Sequence, residues 1–537
     1  MRYLVHHLLE NAARQEPASV AVIDRERRLT YGQLDALSNR LASTLRQLGV
    51  RKGDRVGLYL DKSLESVVAV YGIMKAGGAY VPLDPDAPVS RLGYIAADCG
   101  TRVLLTGAEK QDSWGPLVEA GAPLESLVVL NDSRVSGPAG VVVIDRKAVD
   151  GAAADQIDAG LIDMDLAYIL YTSGSTGDPK GVMLTHRNAL AFIEWAAEEF
   201  AVGPRDRLSS HAPLHFDLSV FDLYAAACGA ASVVLVPPKL SLFPNQVVRF
   251  IQENEITVWY SVPSILSMMT LRGGLRPGDL PSLRVLLFAG EVFPTKYLRE
   301  LMRLVPAARF ANLYGPTETN VCTWYEVPSL ADDDNAPIPI GAAVENDEVF
   351  AVKEDGGIAA LGEAGELHVR GATVMRGYWG DPERTARGLI PDPRGQALHD
   401  PVYRTGDLVE VLPGGSFRYV GRRDSQIKSR GYRIELGDVE AALQAHPGVI
   451  ECAVLAIPDE LITNRLVAYL TIREGTTVAE LAHFCGERLP RYMVPESFNP
   501  VSELPRTSTG KLDRRSLARV TTSCMGHADG ELGAEAR

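Results

Sequence analysis

Apolar and polar positions alternate along most of this chain in two periods, one helical and one of buried strands, and the two interleave. A helical stretch opens at Leu29-Thr30-Tyr31-Gly32 and runs to about Leu48, followed by a strand at Arg55–Leu60 and a second helix at Val67–Lys75. Ala76-Gly77-Gly78 ends that helix, because glycine accepts the left-handed conformation that closes a helical turn. Further strands are expected at Leu166–Leu170, Ile256–Pro263 and Val285–Glu291, each an unbroken apolar run of the kind buried on both faces of a sheet. Residues 110–160 carry weaker patterns and read as loops between short strands. Beyond Leu436 the order is helix (to about Ala445), strand (Cys452–Ile457), strand (Leu466–Ile472) and helix (Val478–Leu489). The fold class is therefore α/β: a large N-terminal domain of mixed sheets with flanking helices, over residues 1–423, plus a small, mobile C-terminal α+β domain, over 424–520. Residues 521–537, rich in Gly, Ala, Glu, Ser and Thr, are expected to be a disordered tail.

The most informative stretch is Tyr171-Thr-Ser-Gly-Ser-Thr-Gly-Asp-Pro-Lys-Gly-Val182. It follows the Leu166–Leu170 strand and precedes a helical pattern from about Asn188 to Phe200, so the expected order is strand, glycine-rich turn, helix. Gly174, Gly177 and Gly181 let the backbone approach a ligand, and Thr172, Ser173, Ser175 and Thr176 place hydroxyls beside free amides. Such a loop can cradle phosphates, with Lys180 at its end. It is not a Walker loop, which needs Gly-Lys-Ser/Thr, whereas here Gly181 follows Lys180.

Charge and cysteine content narrow the class. The chain has 537 residues, with 68 acidic against 54 basic side chains and a net charge of −14, which disfavours nucleic acid as a partner because phosphate contacts need a basic face. Its six cysteines include no Cys-x-x-Cys pair, so neither a zinc site nor a disulfide framework is expected, and a reducing cytoplasm fits. No apolar run is long enough to suggest a signal segment or a membrane span. His211 and His215 are four apart, but Pro213 between them opposes the helix that would bring them together on a metal. Asp217 stands in the apolar run Phe216–Asp222 and needs a cationic or hydrogen-bonding partner. Asp222, five positions on, points to another side in either a strand or a helix.

The 171–182 stretch resembles the signature of the adenylate-forming enzymes, the superfamily of acyl-CoA synthetases, luciferases and adenylation domains of nonribosomal peptide synthetases. Companions follow in the family's order: Lys75–Asp84, Asn312-Leu-Tyr-Gly-Pro-Thr-Glu-Thr319, Gly365–Gly371, Tyr403–Leu408, Gly421–Leu436 and Leu504–Asp513. The resemblance spans residues from about 10 to 520 and implies ATP and Mg²⁺. It assigns Lys511, Glu318 and Thr172 to catalysis, with Glu318 holding the metal. It assigns Thr172, Ser173, Gly174, Ser175, Thr176, Gly177, Lys180, Gly290, Glu291, Asn312, Tyr314, Gly315, Thr317, Asp407 and Arg422 to the nucleotide. Within that set Tyr314 would stack on adenine, Asn312 would bond the adenine edge, and Asp407 would grip the ribose hydroxyls. Asp424 matches the hinge about which the small domain swings, and Gly431 the glycine beside the thiol tunnel.

The resemblance also implies a substrate pocket of Asp217, Leu218, Phe221, Tyr260, Leu287, Ala289, Leu313, Val321 and Cys322, with Lys511 at the carboxylate end. Amino-acid-activating members carry an aspartate at the position of Asp217, where it pairs with the substrate ammonium. The remaining lining is apolar and bulky, which suits a small aliphatic side chain, and it is similar to that of free-standing L-prolyl adenylating enzymes that feed pyrrole formation. The short segment after Lys511 has no carrier segment, so a holo peptidyl carrier protein is expected in trans, with no nucleic acid and no membrane as partner. The competing expectations are activation of another small aliphatic amino acid, a carboxylate:CoA ligase, and a non-catalytic interaction module. Asp217 speaks against the second, and the retained Lys511, Glu318 and Asp407 against the third.

Overall fold

The computed structural model describes residues 2–132, 135–174, 178–395, 400–424, 426–506, 514, 517 and 518. The chain divides into two compact units, the first made of residues 1–172 and 179–424 and the second of 173–178 and 425–537. The expected tail at 521–537 lies outside the described residues.

In the first unit, among the described residues, one sheet has nine strands and a second has eight. Neighbouring strands at the centre of the nine-stranded sheet run parallel: Arg207–Ser210, Val258–Ser261, Val285–Ala289 and Arg309–Tyr314. Every residue of Val285–Ala289 and Val258–Ser261 is buried, which explains their uninterrupted apolar character. The eight-stranded sheet is built on Arg55–Tyr59, flanked in parallel by Ala79–Pro82 and Val103–Thr106. A smaller antiparallel sheet contains Ala364–Gly371, Val402–Val411 and Phe417–Arg422.

Local sequence sets the helix limits. Thr30 opens helix Tyr31–Gln47 with a reciprocal capping box to Gln33, and Ser63 does the same for Leu64–Ala76 with Ser66. Gly77 closes the latter helix at φ 94°, where a Cβ would be strained.

The structure corrects two expectations. The glycine-rich stretch does not lead straight into a helix: Lys180–Thr185 is a strand that returns antiparallel to Leu166–Thr172, and helix His186–Glu199 begins only after it, capped by Thr185. The run Gly181-Val-Met-Leu184 is short, and pairing with the preceding strand satisfies its backbone where an isolated turn would not. Residues 110–160 hold two helices, Gln111–Glu119 and Arg146–Asp150, whose short lengths hide their period. Within the Phe216–Asp222 run, which the pattern leaves open between strand and helix, Leu218–Val220 is helical and a π turn spans Phe221–Ala225.

The second unit pairs Val449–Asp459 antiparallel with Thr463–Ile472, and Ser497–Pro500 lies parallel to the latter. Helices Leu436–Gln444 and Val478–Gly486 contribute Leu443, Leu481 and Cys485 to its core. A hairpin, Gln426–Ser429 with Tyr432–Glu435, turns through Arg430 and Gly431, both at positive φ, the geometry of a tight two-residue turn. No helix among the described residues is long and apolar enough to cross a membrane.

Candidate active site

The apolar half of the candidate site grows from the nine-stranded sheet. Register places Tyr260 beside Leu287, Leu287 beside Ala311 and Ala289 beside Leu313, so alternate residues of three adjacent strands face the same side. On that side Phe221 packs edge-on to the Tyr260 ring at 5.6 Å and 85°. Leu218, Phe221, Tyr260, Leu287, Ala289, Leu313, Val321 and Cys322 all belong to one buried cluster. The amide of Cys322 donates to the carbonyl of Tyr314 at 2.9 Å, which fixes the end of this wall. Burial pushes the Cys322 thiol and the Tyr260 phenol upward, so both stay neutral and the wall carries no charge.

Asp217 sits where this wall meets the start of helix Leu218–Val220 and is half-buried. Burial is the main cause that raises the phenols of Tyr168 and Tyr260, and the negative charge of Asp217 adds to it in both. The carboxylate therefore lies beside two hydroxyls that remain protonated. Asp222 is set apart from it: 1% exposed, within the π turn.

The polar half lies along the ends of neighbouring strands. Glu318 is fully buried, with Lys180 Nζ at 3.2 Å and the Tyr378 hydroxyl donating to Oε1 at 2.7 Å. Lys180 also stands 4.7 Å from the centre of the Tyr378 ring. Thr172 faces Lys180 across the hairpin, and its Oγ1 is buried with no hydrogen-bond partner among the described residues. Gly315, half-buried like Thr317, has no room for a side chain, since a Cβ would lie 2.0 Å from the carbonyl of Asn320. Asn312 Nδ2 donates to the Pro339 carbonyl at 2.9 Å. Gly290 takes φ 93°, and Glu291 Oε2 accepts from the Ser264 amide at 3.0 Å.

A chain of hydrogen bonds leads from this region to the edge of the first unit. The Tyr314 hydroxyl donates to Asp407 Oδ2, and burial keeps that phenol protonated. Arg422 Nη1 donates to Asp407 Oδ1 at 2.8 Å, while its Nε and Nη2 hold the two oxygens of Asp424 at 2.6 Å each. Asp424 is the last residue of the first unit.

These facts sort the sequence-derived candidates. The pocket residues share one cluster, and Thr172, Lys180 and Glu318 come together, as do Tyr314, Asp407 and Arg422. Ser173 belongs to the second unit, where its hydroxyl donates to the Arg433 carbonyl at 2.8 Å, and Gly174 beside it is buried. Gly431 is the turn residue of the second unit's hairpin. Ser175, Thr176, Gly177 and Lys511 lie outside the described residues. His211 Nε2 pairs with Ser241 Oγ at 2.8 Å and His215 Nε2 lies 3.8 Å from Asp84, and no group of three metal-ligating side chains occurs among the described residues. A single buried carboxylate such as Glu318 suits Mg²⁺ completed by phosphate oxygens and water, and the unpartnered Thr172 hydroxyl suits a phosphate oxygen. Sequence reasoning missed Tyr378, although it stands in Arg376-Gly-Tyr-Trp379, a turn-like stretch whose aromatic pair was a signal.

The chain matches the family model described as AMP-binding enzyme over residues 9–379, and that of the AMP-binding enzyme C-terminal domain over residues 438–511. It is 42% identical over 520 residues to an L-proline--[L-prolyl-carrier protein] ligase of Pseudomonas fluorescens, covering 96% of this chain and 99% of the relative. It is 39% identical over 497 residues to a ligase of the same description from Streptomyces coelicolor, covering 91% of each. In fold it is similar to a crystallised Vibrio cholerae adenylation domain in complex with glycyl-adenosine-5'-phosphate, with a TM-score of 0.84 at 24% identity over 97% of this chain and 98% of that one.

The bonds of Arg422 make a contrast that can be measured. Arg422→Met leaves the buried Asp407 without its cation and is expected to destabilise the first unit by about 3 kcal/mol. Asp424, with a side chain 48% exposed, gives a solvated pair, so Asp424→Ala should cost under about 1 kcal/mol. Urea midpoints of the two variants check this, and equal losses would show that Asp407 does not depend on Arg422.

Proposed function

We propose, from the premise that this chain belongs to the AMP-binding enzymes, that it activates L-proline with ATP as prolyl-AMP and then passes the prolyl group to the phosphopantetheine thiol of a separate carrier protein. The observation that carries the reading is Asp217, a half-buried carboxylate at the rim of a neutral, closely packed apolar wall. The identity to two proline:carrier-protein ligases supports it. Proline offers a secondary ammonium, a carboxylate and a compact ring. Asp217 takes the ammonium, and Phe221, Tyr260, Leu287 and Leu313 enclose the ring.

In the first step a proline carboxylate oxygen attacks the α-phosphorus of ATP, and the bond to pyrophosphate breaks. Two anions must meet, so the site has to neutralise charge at the reacting phosphorus. Lys511 supplies a cation to the carboxylate and the α-phosphate, and Thr172 with the 173–177 loop and Lys180 holds the outer phosphates. Glu318 would hold Mg²⁺, whose bound charge offsets that of the phosphate oxygens. Asp407, held by Arg422, accepts from the ribose hydroxyls, and Tyr314 and Asn312 receive the adenine. In the second step the carrier thiolate attacks the prolyl carbonyl and AMP leaves, with the small domain turning about Asp424 and the thiol arm passing Gly431. ATP and carrier protein meet in the cytoplasm. A product of this kind, a carrier-bound prolyl thioester, suits later oxidation to a pyrrole.

Pyrophosphate exchange with all common amino acids at equal concentration tests the substrate. L-Proline should lead, its four- and five-membered ring analogues should follow within the roughly 10- to 200-fold that one methylene commands, and aromatic or charged amino acids should be rejected. Valine or alanine ahead of proline would overturn the choice of substrate. The lysine has its own test: Lys511→Ala should lower adenylate formation by about a hundredfold or more while thioester formation from supplied prolyl-adenylate stays near the parent rate. Equal loss in both steps would remove Lys511 from the first.

A further inference from the structure

The segment that carries Asp217 and Phe221 is gripped at its start by a cation outside the site described above. Lys62 lies just before helix Leu64–Ala76, and its ammonium donates to three consecutive carbonyls, those of Ser210, His211 (2.9 Å) and Ala212 (3.2 Å). Those residues end the strand Arg207–Ser210 and open the segment. At its other end stands Asp222, 1% exposed, whose carboxyl has no close hydrogen-bond partner among the described residues and is acted on by the backbone amide of His211. A buried carboxylate without such bonds persists only where a nearby charge compensates it. The charge that acts on Asp222 is that of Lys62, and Asp222 acts on Lys62 in return. Burial pulls the ammonium down to about 8 and raises the Asp222 carboxyl, while each partner opposes the shift of the other. His211 and His215, the other titratable groups that feel Lys62, are both pushed down by burial, and His211 is bonded to Ser241.

The backbone between these ends is irregular. Asp222 lies in the π turn Phe221–Ala225, and such turns persist where tertiary contacts hold them. Those contacts come from the same helix and its neighbour: the Tyr71 hydroxyl donates to the Leu223 carbonyl at 3.4 Å, and Tyr224 donates to the Tyr80 hydroxyl at 3.0 Å. Inside the segment Ser219 Oγ donates to the Phe216 carbonyl at 2.6 Å.

We propose that Lys62 and Asp222 are positioning residues for amino-acid recognition, a buried pair standing at the two ends of the 213–221 segment that together set the distance between the Asp217 carboxylate and the Phe221 wall. Neither touches substrate. The proposal rests on the amino-acid-activating reading and adds to it the residues that hold the ammonium anchor in place. Misplacing a binding group by about 1 Å can cost on the order of a hundredfold, so the couple acts on the amino acid and not on the nucleotide.

The test is amino-acid-dependent pyrophosphate exchange in Lys62→Met, Lys62→Arg and Asp222→Asn, with KM measured separately for proline and ATP. Lys62→Met should raise the proline KM by about tenfold or more with the ATP KM within about twofold of the parent, and Lys62→Arg, which keeps a cation and its donors, should recover most of the loss. Asp222→Asn, which keeps size and removes charge, should move the proline KM in the same direction by a smaller factor. A folded Lys62→Met with both KM values unchanged, or with both raised alike, overturns the proposal. Should Lys62→Met not fold, Asp222→Asn decides by the same split. A parent that shows no amino-acid-dependent exchange removes the functional reading itself and this role with it, whereas an active parent whose variants show no split removes only the role of the couple.

Discussion

A carboxylate taken out of water needs a compensating group, and that requirement shapes the interior of the first unit. Glu318, Asp407 and Asp222 are each almost fully buried. Glu318 has Lys180 and Tyr378, Asp407 has Tyr314 and Arg422, and Asp222 has the field of Lys62. Losing one such partner costs about 3–5 kcal/mol, a large share of the roughly 5–15 kcal/mol by which a domain is stable. The partners come from distant stretches of chain, so these couples tie separate elements of the first unit to one another.

The apolar wall works by the opposite rule. Phe221, Tyr260, Leu287 and Cys322 offer no charge, because burial keeps the phenol and the thiol protonated. A wall of this kind discriminates by size and weakly, about 1–3 kcal/mol per methylene, whereas the ammonium anchor discriminates strongly because an unpaired buried charge is so costly. On the proposed reading, selection of an amino acid rests on Asp217, and selection among small amino acids on the packing behind it.

Much of this was legible in the sequence. Val285–Ala289 reads as a strand because both faces are buried, and Thr30 and Ser63 announce helix starts through chemistry confined to four residues. The resemblance in Asn312–Thr319 and Tyr403–Leu408 pointed to Glu318, Tyr314 and Asp407, of which the fold joins Tyr314 to Asp407. The strand Lys180–Thr185 was hidden because its pairing with Leu166–Thr172 is set across a turn rich in glycine, where local pattern is weakest. The π turn at Phe221–Ala225 was not legible at all, since it is held by Tyr71 and Tyr80, far away in the chain. The same holds for the meeting of Lys180, Glu318 and Tyr378, a product of tertiary structure with no local signature.

The claim on which the account turns is that Asp217 pairs with the ammonium of an amino-acid adenylate. Calorimetric titration with a non-hydrolysable prolyl-adenylate analogue, alongside its counterpart lacking the ring nitrogen, measures that pairing without turnover. The parent protein should bind the prolyl analogue at least about a hundredfold more tightly than the counterpart, and Asp217→Ala should erase most of that difference. Equal affinity of the parent for both compounds, or a preference that survives Asp217→Ala, would contradict it.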